Sequence, residues 1–161
     1  MSVTIANFTS WKDQWTLVGV GMSRIQWIYR GRPATAQPNG SADAVFDLHA
    51  FFVACFHFKD WLIQDGVVPK NVVEDWVNQN GALTLCADLA NRTKHYKLTR
   101  VRTHPNAGPT SQSVTIGMAA IPTAAHSWVI TAGPTTWDAL QLAQEAVSDW
   151  TRLLKQEGLI P

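Results

Sequence analysis

Acidic side chains are absent from the whole stretch between Asp88 and Asp138, and that gap is the most telling feature of the chain. The same stretch holds Arg92, Lys94, Lys97, Arg100 and Arg102, with His95 and His104 among them. Five of the thirteen Lys and Arg residues therefore lie where there is no acid, and the remainder holds eight basic against twelve acidic residues. A net charge of +1 conceals a polarised molecule, and such asymmetry points to a polyanionic partner or a phosphate-bearing ligand rather than to a reaction. Cysteine is scarce, with Cys55 and Cys86 each in an apolar segment, so the expectation is two buried thiols and no disulfide framework. Long apolar runs are missing too: the longest, Ala50 to Phe56, is too short to span a bilayer and excludes membrane insertion by that route. The opening MSVTIANFTSWKDQW has no basic region followed by an apolar one, which gives a cytoplasmic expectation.

Motif absences remove several chemistries. There is no Gly-x-Ser-x-Gly elbow, no phosphate-cradling glycine loop and no His-Glu-x-x-His. Val18-Gly19-Val20-Gly21 lies within a helical pattern and lacks the third glycine of a dinucleotide fingerprint. No cofactor is expected.

What is present is a compact globular composition, with 46% apolar and 16% charged residues and eight tryptophans in 161 positions. That length fits one domain, 1–161, with a core of its own. Trp11, Trp15, Val18, Met22, Ile25 and Tyr29 recur at spacings of four and three and predict a helix over about 10–30. Ser41 caps a second helix to about Asp65, apolar over most of its surface with five phenylalanines, which marks it as the central helix. Asn71 as N-cap predicts a short helix at 72–79, Asn80-Gly81 breaks it, and another follows over 82–95. Alternation then predicts strands at 96–103, 113–121 and 127–131, and Leu140, Ala143, Val147, Trp150 and Leu154 predict a last helix over 138–157, closed by Gly158. The fold class is α+β, mainly α: a helical bundle with a small three-stranded antiparallel sheet inserted before the last helix.

Two helices carry polar stripes. His49, His57, Asp60 and Gln64 share one face of the second helix, and Asp88, Asn91 and His95 share one face of the fourth. Facing each other, the stripes would form a hydrogen-bonded network that includes His57 and Asp60, or else a catalytic or ligand-binding cluster of Asp88, Asn91 and His95. A metal-binding bundle is a further alternative, with His57, Asp60, Asp88 and His95 as donors. Neither helix contains the Glu that di-iron bundles use, so no metal is assigned.

The segments His57-Phe58-Lys59-Asp60-Trp61 and Asp88-Leu89-Ala90-Asn91-Arg92-Thr93-Lys94-His95 resemble paired motifs of a family of small uncharacterised bacterial and phage-associated helical proteins. The likeness covers roughly Phe46 to Arg100 and the final helix, with Trp150, Leu154 and Gly158-Leu159. More remotely the layout is similar to the HEPN group of helical domains, many of them metal-independent ribonucleases or nucleotide-binding partners of toxins. In that pattern His95 matches the histidine, while Asp88, Leu89 and Ala90 stand where an arginine belongs. The resemblance implies the helical fold and, in enzymatic form, a divergent ribonuclease or toxin-system component with His95 as acid or base and Arg92 or Lys94 steadying phosphate charge.

The leading expectation is thus a nucleic-acid- or nucleotide-associated domain with Arg92, Lys94, Lys97, Arg100 and Arg102 on phosphate and RNA or a nucleotide as partner. Its rival is a non-catalytic interaction or structural subunit, a homo-oligomer formed through an aromatic helix face.

Overall fold

A computed structural model describes residues 8–94, 108–117 and 122–161. Helix α1 (Trp11–Arg30) starts where Ser10 and Asp13 close a capping box, the Asp13 carboxylate accepting from the Ser10 backbone N–H at 3.0 Å. Asp65, at the far end of α2 (Ser41–Gln64), accepts from the Trp11 backbone N–H at 2.6 Å, so α1 and α2 form an antiparallel hairpin pinned at its open end. Midway, Gly21 lets the two backbones approach: a Cβ there would sit 3.2 Å from a Phe51 ring carbon. Gly31, with φ +100°, turns the chain out of α1.

Helix α3 (Lys70–Gln79) has Pro69, not Asn71, at its N-cap, and Asn71 lies inside the first turn. Helix α4 (Gly81–Lys94) follows directly. Every residue from Ala82 to Ala90 is buried, so α4 is the most enclosed of the described helices, while α2, as expected of a central helix, packs against α1, α3, α4 and α5. Gly81, Ala82, Cys86, Ala87 and Ala90 are small enough to admit neighbours on all sides, whereas α2 leaves Ala42, Phe46 and Ala50 in solvent. Among the described helices α2 is long and apolar enough to cross a membrane by length and composition, yet 44% of that stretch is buried against the core.

The core joins Phe51, Phe52 and Phe58 of α2 to Trp150 of α5 (Ala139–Gln156). Phe58 meets Trp150 edge-on at 5.2 Å, and the buried indole N–H donates to the Cys55 carbonyl at 3.1 Å. Cys55 and Cys86 are buried and free.

Four antiparallel strands are described, not three. The middle one, β3 (Thr123–Ala132), pairs along one edge with β2 (Gly108–Gly117). Its other edge is shared by β1 (Arg32–Pro33) at one end and β4 (Thr135–Asp138) at the other. Two residues including a proline carry no alternation, so β1 could not be seen as a strand before its partner was in place. The expected 113–121 strand begins earlier, at Gly108, with 118–121 outside the described residues; the 127–131 strand lengthens to Thr123–Ala132; the 96–103 strand lies outside them altogether. His126, Trp128 and Ile130 form the buried face of β3, which packs on α1 and α5.

Tyr29 holds this junction. Its hydroxyl donates to Asp138 at 3.0 Å and accepts from the backbone N–H of Trp128 and of Leu140, each at 3.2 Å. Burial first, and then the Asp138 charge, push the phenol up to about 12. Asp138 also caps α5, accepting from the N–H of Leu140 and Gln141 at 2.9 and 3.0 Å.

Candidate functional site

A groove of about 1070 Å³ lies between the first half of α2 and the last turns of α4. Val45, Phe46, His49 and Val53 form one wall, and Leu89 and Arg92 the other. Helical spacing puts the α2 residues on one outward face, with Phe46 70% exposed. The wall is therefore apolar and aromatic, with a guanidinium on its rim. His49 is the polar exception: among the described residues its buried Nδ1 has no hydrogen-bond partner, and burial holds the imidazole below its ordinary pKa and favours the neutral form.

The sequence candidates divide by environment. Asp88 is fully buried and Asn91 half-buried, while Arg92 is exposed at the end of α4. Lys94 closes that helix, and His95, Lys97, Arg100 and Arg102 lie outside the described residues. A carboxylate as enclosed as Asp88 does not meet a solute directly in this conformation, which suits it to a supporting role.

The stripe on α2 does not occupy the same interior. His57 Nδ1 lies 3.1 Å from Asp60, and Lys59 Nζ donates to Asp60 at 2.6 Å and to Glu74 of α3 at 3.1 Å. Asp60 is half exposed, so His57, Lys59, Asp60 and Glu74 form a cluster on the flank that meets α3 and solvent. Of the expected buried network between the two stripes, His95 lies outside the described residues, and the Asp60 end turns to solvent. The cause is that α2 is apolar nearly all round, so periodicity alone does not say which of its faces turns inward. Among the described residues no three His, Cys, Asp or Glu side chains lie close enough to hold a metal ion.

The inward stripe of α2 runs Ala44, Asp47, Phe51, Cys55 and Phe58, and it contains an acid. Asp47 accepts from Arg24 of α1 at 2.8 Å and forms an ion pair with the buried Arg32 of β1 at 2.5 Å, and Arg32 donates to the Arg24 carbonyl at 3.2 Å. The Arg32 guanidinium lies 4.9 Å from the Trp27 ring centre.

A second buried network stands behind it. Gln37 turns its amide N–H groups toward the Arg32 and Ala124 carbonyls, leaving its oxygen to accept from His126 Nε2 at 3.0 Å. Gln112 then donates to His126 Nδ1, also at 3.0 Å, which assigns the Nε2–H tautomer. Burial and the Arg32 charge both lower the His126 pKa.

Sequence reasoning passed over Arg24, Arg32, Asp47, Gln37, Gln112 and His126. For Asp47 a signal existed, since it repeats with Ala44 and Phe51 at spacings of three and four in the buried stripe. For the others there was none, because their contacts join segments far apart in the chain.

Comparison of the chain with family models, with curated proteins and with solved structures finds no match in any of the three. The functional reading rests on the site alone.

Proposed function

We propose that this chain is a nucleic-acid- or nucleotide-associated helical domain, which takes its ligand at the basic end of α4 and in the groove beside it. The observation that carries this is the position of Arg92, exposed on the rim of a groove walled by Phe46 and His49. From that rim the chain runs on through Lys94, Lys97, Arg100 and Arg102, and no acid follows before Asp138. Cations supply phosphate affinity, and an exposed aromatic ring supplies a face on which a base can stack. In its enzymatic form His95 would act as acid or base on the phosphodiester, with Arg92 or Lys94 stabilising developing charge.

Binding of a labelled RNA, followed by fluorescence anisotropy across a salt series, tests the reading. Arg100→Glu with Arg102→Glu should weaken binding to all sequences and flatten the salt slope by about one unit for each phosphate no longer neutralised. Unchanged affinity and slope would remove the proposal.

A second reading has its own observation. Leu17, Val20 and Trp27 of α1 and Phe46 of α2 are exposed large hydrophobic residues, a pattern that suits a non-catalytic interaction subunit or a homo-oligomer. Sedimentation velocity over a range of concentrations separates the two readings, since a subunit of this kind self-associates without RNA.

A further inference from the structure

Three depressions adjoin one another across the α1/α2 face. The groove beside α4 shares Phe46 with a cleft of about 330 Å³ that Arg24, Trp27 and Asp47 also line. That cleft shares Arg24 and Trp27 with a shallow hollow of about 780 Å³ along α1, floored by Gly19 and Ser23. The result is one surface leading from Arg92 at the end of α4, over Phe46, to Trp27 on α1.

We infer that this surface is a track for a single-stranded nucleic acid, with Phe46 and Trp27 as base-stacking platforms and Arg92 and Arg24 as phosphate contacts. The inference rests on the nucleic-acid reading above and specifies the form of its ligand.

The two aromatic residues are placed for stacking. Phe46 is 70% exposed and Trp27 46%, in a chain whose other large aromatic residues mostly line the core. The Trp27 ring does not have to be ordered on binding, because Arg32 packs against it and is itself fixed on Asp47. Charge points the same way. Arg24, 58% exposed although one of its nitrogens donates to Asp47, and the exposed Arg92 both line the track. Of the two acids in the same walls, Asp47 is buried between two arginines, while Asp43 accepts from the Asn39 backbone N–H at 3.0 Å and its side-chain amide at 2.9 Å and keeps its negative charge. The walls thus carry three guanidinium groups, of Arg24, Arg32 and Arg92, against two carboxylates, which leaves a net positive balance for an anionic partner. A duplex keeps its bases stacked inside and offers no ring faces to Phe46 or Trp27, whereas a single strand exposes them.

The test uses the full chain, a short labelled single-stranded RNA and the duplex of the same sequence. Phe46→Ala and Trp27→Ala should each lower single-strand affinity roughly five- to a hundredfold, with the salt slope unchanged because both variants keep every cationic side chain. Trp27→Phe should keep most of the affinity. Both positions are exposed, so melting temperatures should stay near the wild-type value, and a normal melt confirms that a loss of binding is not a loss of fold. If the alanine variants bind like wild type while Arg100→Glu with Arg102→Glu weakens binding, the track is wrong and the nucleic-acid reading survives. Equal or tighter binding of duplex also overturns the track. If the wild-type chain binds neither RNA, the reading and the track fall together. Self-association that Phe46→Ala or Trp27→Ala abolishes, without effect on RNA affinity, makes the face an interface between copies and overturns the proposal.

Discussion

Asp47 and Asp60 lie on the same helix and each meets two basic side chains, yet they sit in opposite settings. Asp47 is 7% exposed and is gripped by the guanidinium groups of Arg24 and Arg32. Asp60 is 50% exposed and meets Lys59 and His57. A pair at the surface gains little, since water screens the attraction and two flexible side chains must be ordered. A pair taken out of water is unforgiving: removing one partner strands a buried charge. Arg32 meets both Asp47 and the Arg24 carbonyl through Nη2, while its Nε is buried with no hydrogen-bond partner among the described residues, so the Asp47 charge is what holds this guanidinium in the interior. The same acid and base chemistry thus fixes the α1–β1–α2 corner in one place and trims a solvated flank in the other.

The largest effect expected from breaking this contrast is at the buried end. Asp47→Ala should destabilise the fold by about 3 to 5 kcal/mol, because Arg32 is left buried without its counter-charge. Urea unfolding monitored by tryptophan fluorescence measures it, and a loss below about 1 kcal/mol would mean that water reaches Arg32 after all.

Asp88→Ala comes next, at about 1 to 3 kcal/mol, since an enclosed carboxylate leaves its neighbours unsatisfied when removed. If Asp88 instead serves only chemistry at the end of α4, its loss leaves the unfolding curve in place.

Acid should sharpen the comparison through His126. Its pKa in the fold is lowered, by burial and then by Arg32, from 6.5, so the unfolded chain takes up the proton first. The stability this neutral imidazole contributes is complete above 6.5 and is lost as pH falls from there through the depressed folded value. His49 is lowered by burial and acts in the same direction. Asp149 is raised by burial and acts in the opposite sense, with stability lost as pH rises through its folded value. The informative quantity is therefore the difference between wild type and His126→Gln: the variant should show a shallower fall in melting temperature below 6.5. Parallel pH curves for the two proteins would show that His126 does not titrate with folding.

The smallest effect belongs to the exposed cluster. Asp60→Ala should change stability by less than about 1 kcal/mol, and added salt should shrink the difference further. A loss as large as that of Asp47→Ala would erase the contrast.

Read from the sequence, α1 and α5 are nearly complete, because each has one clear apolar stripe: Trp11 to Ile28 in one, Leu142 to Leu154 in the other. The bounds of α2 were equally legible, but its inward face was not. His49, His57 and Asp60 stand out along the chain as polar intruders in a core, while Asp47 holds the interior position. The basic end of α4 was visible as charge, and Arg92 takes its place on the groove rim. Phe46 and Trp27 read as two more core aromatics, since hydrophobicity gives no sign of which rings a fold leaves uncovered.

By itself the sequence determined the helical segments, the two free thiols, and a chain whose positive charge gathers after Asp88. Each of these follows from neighbours along the chain: apolar spacing, cap and turn residues, runs of like charge. Only the tertiary structure decided that α4 is enclosed, that β1 and β4 complete the sheet around β3, and that Arg24, Arg32 and Asp47 meet. Those contacts join residues from α1, β1 and α2, or Gln37 with His126 some ninety positions away, and no local pattern encodes a meeting that depends on how whole elements pack.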